Sequence, residues 1–334
     1  MSRLADMIWR YCTAEQCREL LYSYRLFGER KWSMEEQERC LYTLSNHAEQ
    51  YYRNVWIPKK NGKKRKLMIP DPILAEVQRN ILTQILADMP VSEYAKAYRK
   101  GLGLREMVQE HQGQNTVMCL DIRDFFGNIT FFMVYQQVFS SLRFPPAIGT
   151  LLTNLCCFKD TLPQGAPTSP AISNLVLKPF DEYMGQWCRK RGIVYTRYCD
   201  DMVFSGELDP KTVKNKVRGF LRVIGFSLNE EKSSVRRQSQ RQTVTGIVVN
   251  EKIQAAREYR RRVHQEVYYC RKFGVDDHLA KIGKDKKEPM DRQRYLLSLL
   301  GKLNYILQMN PQDGQAKSDL AALKEIIVSL GEKN

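Results

Sequence analysis

The chain has 334 residues, 43% hydrophobic and 27% charged, the balance of a core-forming protein rather than a disordered or fibrous one. Its 53 Lys and Arg against 37 Asp and Glu leave a net charge of +16, which points to a polyanion partner, since neutralising phosphates releases counterions and steers association. No apolar run approaches the roughly 18 residues that span a bilayer, and the opening Met1-Ser-Arg-Leu-Ala-Asp6 lacks the apolar stretch of a secretory signal, so no membrane partner is expected and the expected compartment is the cytoplasm.

Nine cysteines, at 12, 17, 40, 119, 156, 157, 188, 199 and 270, form no C-x-x-C pair and are accompanied by only four histidines, which argues for reduced thiols over a zinc cluster or a disulfide framework. In chain order, Ser33-Met-Glu-Glu36 has capping-box form, and the spacing of Leu41, Leu44, Ala48 and Tyr51 predicts a helix over about 34–52. Val55-Trp-Ile-Pro58 and Leu67-Met-Ile-Pro70 flank Asn61-Gly62, a hairpin signal, and six of the eight residues from Lys59 to Lys66 are basic. That tip reads as a targeting run, a solvated turn or a grip on phosphate. Asp71-Pro72 caps a helix carrying Ile73, Val77, Ile81 and Ile85. Thr116-Val-Met-Cys-Leu120 reads as a buried strand that delivers Asp121 at its end. From Pro170, with Ser169 as cap, an apolar stripe runs from Ile172 through Trp187, and Pro179 inside it predicts a kink. Two strand-like runs, 193–198 and 202–204, enclose Cys199-Asp200-Asp201. Beyond Asn250 the pattern is helical, with Tyr295, Leu296, Leu299, Leu300, Leu303 and Ile306 on one face and Leu320, Leu323, Ile326, Ile327 and Leu330 on another.

An isolated Asp-Asp pair is most often a solvated turn. Here it is hemmed by apolar strands, and Asp121 ends a third. Carboxylates on neighbouring strand ends make a hard-oxygen site suited to Mg²⁺, and two such ions roughly 3.5–4 Å apart serve in-line phosphoryl transfer.

These residues resemble a known family. Tyr198-Cys-Asp-Asp201 resembles the YxDD box of reverse transcriptases, Leu120-Asp-Ile-Arg-Asp-Phe-Phe126 their first carboxylate motif, and Leu162-Pro-Gln-Gly-Ala-Pro-Thr-Ser-Pro-Ala-Ile-Ser-Asn174 their PQGxxxSPxxSN segment, in the family's order. Gly62-x-x-Arg65-x-Leu67-x-x-Pro70 and Gly225-Phe-x-Leu-Asn229-x-x-Lys232 extend the likeness to about residues 55–255. Val244-Thr-Gly246 is similar to the VTG element of retron reverse transcriptases, whereas their NAxxH element keeps only its histidine, in Met107-Val-Gln-Glu-His111.

The resemblance implies an α+β right-hand polymerase: an N-terminal helical region over 1–54, fingers over 55–115, a palm over 116–254 whose antiparallel sheet carries the carboxylates, an interleaved fingers segment at about 133–170, and a small helical thumb over 255–334. It implies Asp121, Asp200 and Asp201 as catalytic residues, holding two Mg²⁺ ions with the carbonyl of Ile122, while Asp124 lies off the family's metal position. Arg65, Lys63, Gln164 and Lys232 would meet the incoming nucleotide, although Lys232 reads equally as a surface lysine. Phe126 would lie beneath the sugar and exclude a 2′-hydroxyl, selecting deoxynucleoside triphosphates, while one ring of Phe125-Phe126 serves the core. From Ala255 to Lys287 ten Lys and Arg oppose five Asp and Glu, and Arg257, Arg260 and Arg261 share a helical face with Tyr268 and Tyr269 further along; this reads either as a solvated face or as a grip on RNA, together with Val244, Thr245 and Gly246. The implied partners are a cognate structured noncoding RNA and its DNA product, a host ribonuclease H and an effector protein, with a branched RNA-linked DNA as product and a role in defence against phage. A group II intron-like, diversity-generating or abortive-infection reverse transcriptase, or a catalytically silent RNA-binding scaffold, would carry many of the same features.

Overall fold

The computed structural model describes Trp9, residues 11–58, Gly62, residues 64–283 and residues 291–331. Lys63, expected at the nucleotide, and Lys284, Lys286 and Lys287 of the basic stretch lie outside the described residues.

Helix α1 (Ala14–Ser23) opens on a Thr13–Gln16 capping box, and α2 (Met34–Asn46) on the expected Ser33–Glu36 box. The helix expected to reach Tyr52 stops at Asn46. A 3₁₀ turn, Ala48–Tyr51, follows, because Tyr52 already belongs to strand β1 (Tyr52–Pro58). Its partner β2 (Lys64–Pro70) closes the antiparallel hairpin, with Val55 opposite Leu67 and Ile57 opposite Arg65. Asp71 accepts from the Leu74 amide and Pro72 occupies the first turn of α3 (Pro72–Ile81), which continues as a π turn through Leu86. Next come α4 (Leu104–Gln109), β3 (Thr116–Asp121), α5 (Phe131–Gln137) and α6 (Pro146–Cys156).

The stripe from Ile172 to Trp187 is two helices rather than one kinked helix. Helix α7 (Ser169–Val176) ends before Leu177, and α8 (Lys178–Arg189) begins anew with Pro179 in its first turn, where a missing amide costs no hydrogen bond. Ser169 is not the cap either: Thr168 holds that position, and the Ser169 hydroxyl donates to the Pro163 carbonyl at 2.8 Å. Strands β4 (Val194–Tyr198) and β5 (Asp201–Gly206), helix α9 (Pro210–Val223), short strands β6 (Ser234–Arg237), β7 (Thr243–Val244), β8 (Ile247–Val248) and β9 (Gln254–Ala255), and helices α10 (Arg257–Phe273), α11 (Val275–Gly283), α12 (Arg292–Met309) and α13 (Gly314–Gly331) complete the chain. The sheets have the orders β1-β2, β4-β5-β3-β6 and β7-β8-β9, and the β1–β2, β3–β6, β7–β8 and β8–β9 pairs are antiparallel. The fold is α+β. Among the described residues, no helix is long and apolar enough to cross a membrane.

The chain divides into two compact units. The first comprises Met1–Gly101, Leu120–Met202 and Asp209–Ser233. Its buried residues include Leu74, Val77 and Ile81 of α3, Leu152 and Leu155 of α6, Phe180 and Met184 of α8, and Val217 and Leu221 of α9. Gln78 is buried among them and donates its amide to Tyr52 Oη and the Leu155 carbonyl. Of the expected stripe, Tyr183 is exposed, its ring tilted against Phe220 with the Lys216 ammonium over its face.

The second unit comprises Leu102–Cys119, Val203–Leu208 and Ser234–Asn334. Val263 and Val267 of α10, Leu299, Leu303 and Ile306 of α12 and Leu323 of α13 form its core, as the helical spacing predicts. Leu299 has no exposed surface. Leu299→Ala removes three buried heavy atoms and leaves a cavity, so it should cost about 2–5 kcal/mol, read as a lowered midpoint in denaturant unfolding.

Candidate active site

The site lies in the first unit, at the end of β3 and the turn between β4 and β5. Strand β3 buries Val117, Met118 and Leu120 and ends on Asp121, 3% exposed. Strand β4 ends at Tyr198, and the chain reverses through Cys199, whose φ of +60° lies in the left-handed region, to start β5 at Asp201. A non-glycine residue held there is strained, so the surroundings must over-determine it. The Ile122 amide donates to the Asp200 carbonyl at 3.0 Å, which sets the end of β3 against the turn.

The segment after α9 flanks the other side of Asp121. Gly225, at φ +82°, ends the helix, and Phe226 and Leu228 turn into the core. The Asn229 amide donates to the Asp121 carbonyl at 2.8 Å, and the Arg123 amide to the Ser227 carbonyl at 2.9 Å. A 3₁₀ turn over Glu230–Lys232 then brings the Lys232 ammonium to Asp121 Oδ1 at 2.6 Å. Lys232 is thus an ion-pair partner of a candidate ligand, with 60% of its side chain still exposed. Hydrogen bonding to Asp121 raises its pKa against the opposing effect of burial, and the charges of Asp121, Asp200 and Asp201 add to the rise. Burial pushes the Asp201 carboxyl up to about 6, with Asp200 and Asp121 adding to it and Lys232 opposing.

Among the described residues no three His, Cys, Asp or Glu side chains already converge on one point as an ion would require. The donors nevertheless suit a hard cation: they are carboxylate oxygens, and Asp121 already draws an ammonium to within 2.6 Å.

The other candidates are placed as follows. Phe125 is core, 4% exposed against Phe226, whereas Phe126 is half-buried and meets Phe125 edge-on at 5.2 Å. Asp124 is exposed in a turn with φ +43°. Arg65 is exposed on β2. The Gln164 carbonyl accepts from the Met68 amide at 2.9 Å, and at Gly165, φ +129°, a Cβ would lie 2.9 Å from the Met68 carbonyl, so only glycine lets the loop close on β2. Asn174 of α7 donates to the Ala97 carbonyl.

In the second unit, Thr245 (φ +47°) and Gly246 (φ +87°) form the two-residue turn between β7 and β8, and Val244 is buried. His111, the residue kept from the NAxxH element, is buried with Nδ1 2.7 Å from Ser205 Oγ. Arg257, Arg260, Arg261 and His264 line a cavity of about 290 Å³ floored by Leu303, Ile306 and Ala316. The arginine face is less open than its spacing predicts: Arg260 donates to Asp313 at 3.0 Å and to the Ala255 carbonyl, because Asp313 caps the start of α13 beside it.

The family model for reverse transcriptase (RNA-dependent DNA polymerase) matches residues 57–249, which hold both carboxylate strand ends and the loop before α7. The chain belongs to the reverse transcriptase family. Its relatives place it in the retron group: it is 31% identical to the retron Ec86 reverse transcriptase of Escherichia coli over 74% of this chain and 78% of that one, and 30% identical to the retron Mx65 reverse transcriptase of Myxococcus xanthus over 79% of this chain and 63% of that one. Among solved structures, a telomerase chain from Candida albicans aligns at a TM-score of 0.44 and 10% identity, over 83% of this chain and 63% of that one, a loose likeness. As a family member the chain is an RNA-directed DNA polymerase, and reverse transcriptases work with divalent cations.

Sequence reasoning missed the residues beneath the turn. Arg197 and Asp181 are fully buried and paired through two of the three guanidinium nitrogens, Nε at 2.8 Å and Nη2 at 2.6 Å, and Tyr195 Oη donates to the same carboxylate. The available signal was an arginine inside a strand whose other residues, Val194, Tyr195, Thr196 and Tyr198, carry no charge.

A carboxyl raised in the folded state costs stability above its folded pKa and nothing below its ordinary value of 3.8. In cation-free protein near pH 7.5, Asp201→Asn should therefore raise the unfolding free energy by roughly 1–2 kcal/mol after allowing for solvent screening. Thermal unfolding across pH should show that gain shrinking through about 6 and gone by the ordinary value.

Proposed function

We propose that this reverse transcriptase copies its own structured noncoding RNA into a branched, RNA-linked single-stranded DNA, in the cytoplasm, as part of a defence against phage. The reading rests on the similarity to retron enzymes across most of the chain and on the VTG turn at Val244, Thr245 and Gly246. What supports the chemistry is the hydrogen bond from Ile122 to Asp200, which sets Asp121 beside the Asp200–Asp201 turn.

In this proposal Asp121, Asp200, Asp201 and the carbonyl of Ile122 hold two Mg²⁺ ions. Bound there, such ions activate an attacking hydroxyl and stabilise the departing pyrophosphate oxygen. The chain's own part is positioning. Lys232, held at Asp121 with most of its side chain exposed, would be placed to meet the triphosphate. Arg65, with Lys63, clamps phosphate oxygens from the β1–β2 hairpin, where a guanidinium fork suits them. Gln164 lines the nucleotide, and the Phe126 ring lies under its sugar. The helical thumb grips RNA through Arg257 and Arg261, with Arg260 as a brace between α10 and Asp313, and the regions 55–115, 116–254 and 255–334 act as fingers, palm and thumb. Template removal falls to a host ribonuclease H, and an effector protein carries out the defence.

The protein purified with its nucleic acid should carry an RNA whose sequencing reads through a 2′-branch into DNA, and Asp200→Asn should yield the RNA without attached DNA. Unbranched RNA from the active protein would exclude the retron product, and DNA synthesis by the variant would exclude the carboxylate assignment. Phe126→Ala should increase ribonucleotide incorporation in primer extension by about 10-fold or more, the discrimination that one lost steric contact carries; unchanged selectivity would remove the ring from that role.

A further inference from the structure

The buried Arg197–Asp181 pair has a third attachment. Arg197 Nη1 donates to the Cys199 carbonyl at 2.9 Å, while Nε and Nη2 of the same fork hold Asp181. Neither side chain has exposed surface, and Asp181 sits on α8 within the core formed by Phe180 and Met184. The strand itself is pinned at the same residue: the Arg197 amide donates to the Tyr94 carbonyl and its carbonyl accepts from the Lys96 amide, both at 2.8 Å. Cys199 is the residue with φ +60°, one position before Asp200. Its side chain is also held, with Tyr98 Oη 3.4 Å from Sγ.

We infer that Arg197 and Asp181 are positioning residues for polymerisation: the guanidinium, anchored by the carboxylate, holds the strained Cys199 peptide and thereby fixes where Asp200 and Asp201 point. A pair serving only the core would need two of the guanidinium's three bonding directions, and hydrophobic residues of like volume replace such pairs at little loss of stability. The third direction goes to the carbonyl of Cys199, the residue at which the turn takes its positive φ. Tyr195 completes the anchor by donating to Asp181 Oδ1 at 2.8 Å, which fixes the carboxylate that orients the fork. The inference rests on the proposed role of Asp200 and Asp201, and touches neither the nucleotide nor the RNA.

Two full-length variants test it. In Arg197→Lys the point charge stays with Asp181 but no planar fork reaches the Cys199 carbonyl as well. In the triple variant Asp181→Leu, Tyr195→Phe, Arg197→Met every polar group of the cluster leaves together, so no buried charge is stranded. Each is measured by thermal unfolding, by salt-dependent RNA binding, by amide hydrogen exchange of the 198–203 segment, and by extension of a DNA primer on an RNA template against deoxynucleotide and Mg²⁺ concentration. The expected result is parental RNA affinity and deoxynucleotide KM, faster exchange in 198–203, a higher Mg²⁺ midpoint, and a kcat lowered by roughly 10²-fold, the cost of misplacing reacting groups by about an ångström. Folded variants with parental kcat, Mg²⁺ midpoint and exchange would overturn the inference while Asp200→Asn remains inactive; activity in Asp200→Asn would instead overturn the reading beneath it. Loss of the folded state in both variants also rejects it, since the cluster would then serve the fold rather than the turn.

Discussion

Asp121, Asp200 and Asp201 lie at neighbouring strand ends, where burial and, after it, the nearby carboxylates disfavour a full negative charge on Asp201. Each would lose less energy spread over the surface. Their proximity is tolerated because Lys232 pairs with Asp121 and because burial pushes the Asp201 carboxyl up to about 6. An ammonium and a retained proton each lower the negative charge of the corner.

The frame that keeps the corner from springing apart is backbone. Ile122 bonds the Asp200 peptide, Asn229 bonds the Asp121 peptide, and Arg123 bonds Ser227, so the two strand ends and the segment after α9 are tied by main-chain groups on both sides of Asp121. Side chains enter at the next layer out. A site held this way tolerates little drift, as chemistry that depends on alignment more than on covalent participation requires.

What the sequence made legible was local or strongly patterned. The Ser33–Glu36 box, Asp71-Pro72, the β1–β2 hairpin and the apolar strand ending in Asp121 each follow from contacts within a few residues or from periodicity, and each stands in the structure. The failures have common causes. Helix α2 stops at Asn46 because Tyr52 must pair with Pro70, a partner periodicity cannot see. Pro179 divides a helix rather than bending it, since the chain can put the proline where its missing amide is harmless. Lys232 and Asp121 stand 111 positions apart, and Asp181 and Arg197 lie on different elements, so nothing in a window of residues announces either pair. Arg260 had the right spacing for an open basic face, yet Asp313 on a later loop claims it.

The seam between β2 and the Gln164 loop has a mechanical meaning. Met68 offers its amide to Gln164 and its carbonyl to the space beside Gly165, which binds hairpin and loop by main chain at one residue. The basic tip at Lys64–Lys66 lies only a few residues along the same strand. Hairpin and loop are therefore coupled at the main chain, so that a displacement of β2 at Met68 is passed to Gln164.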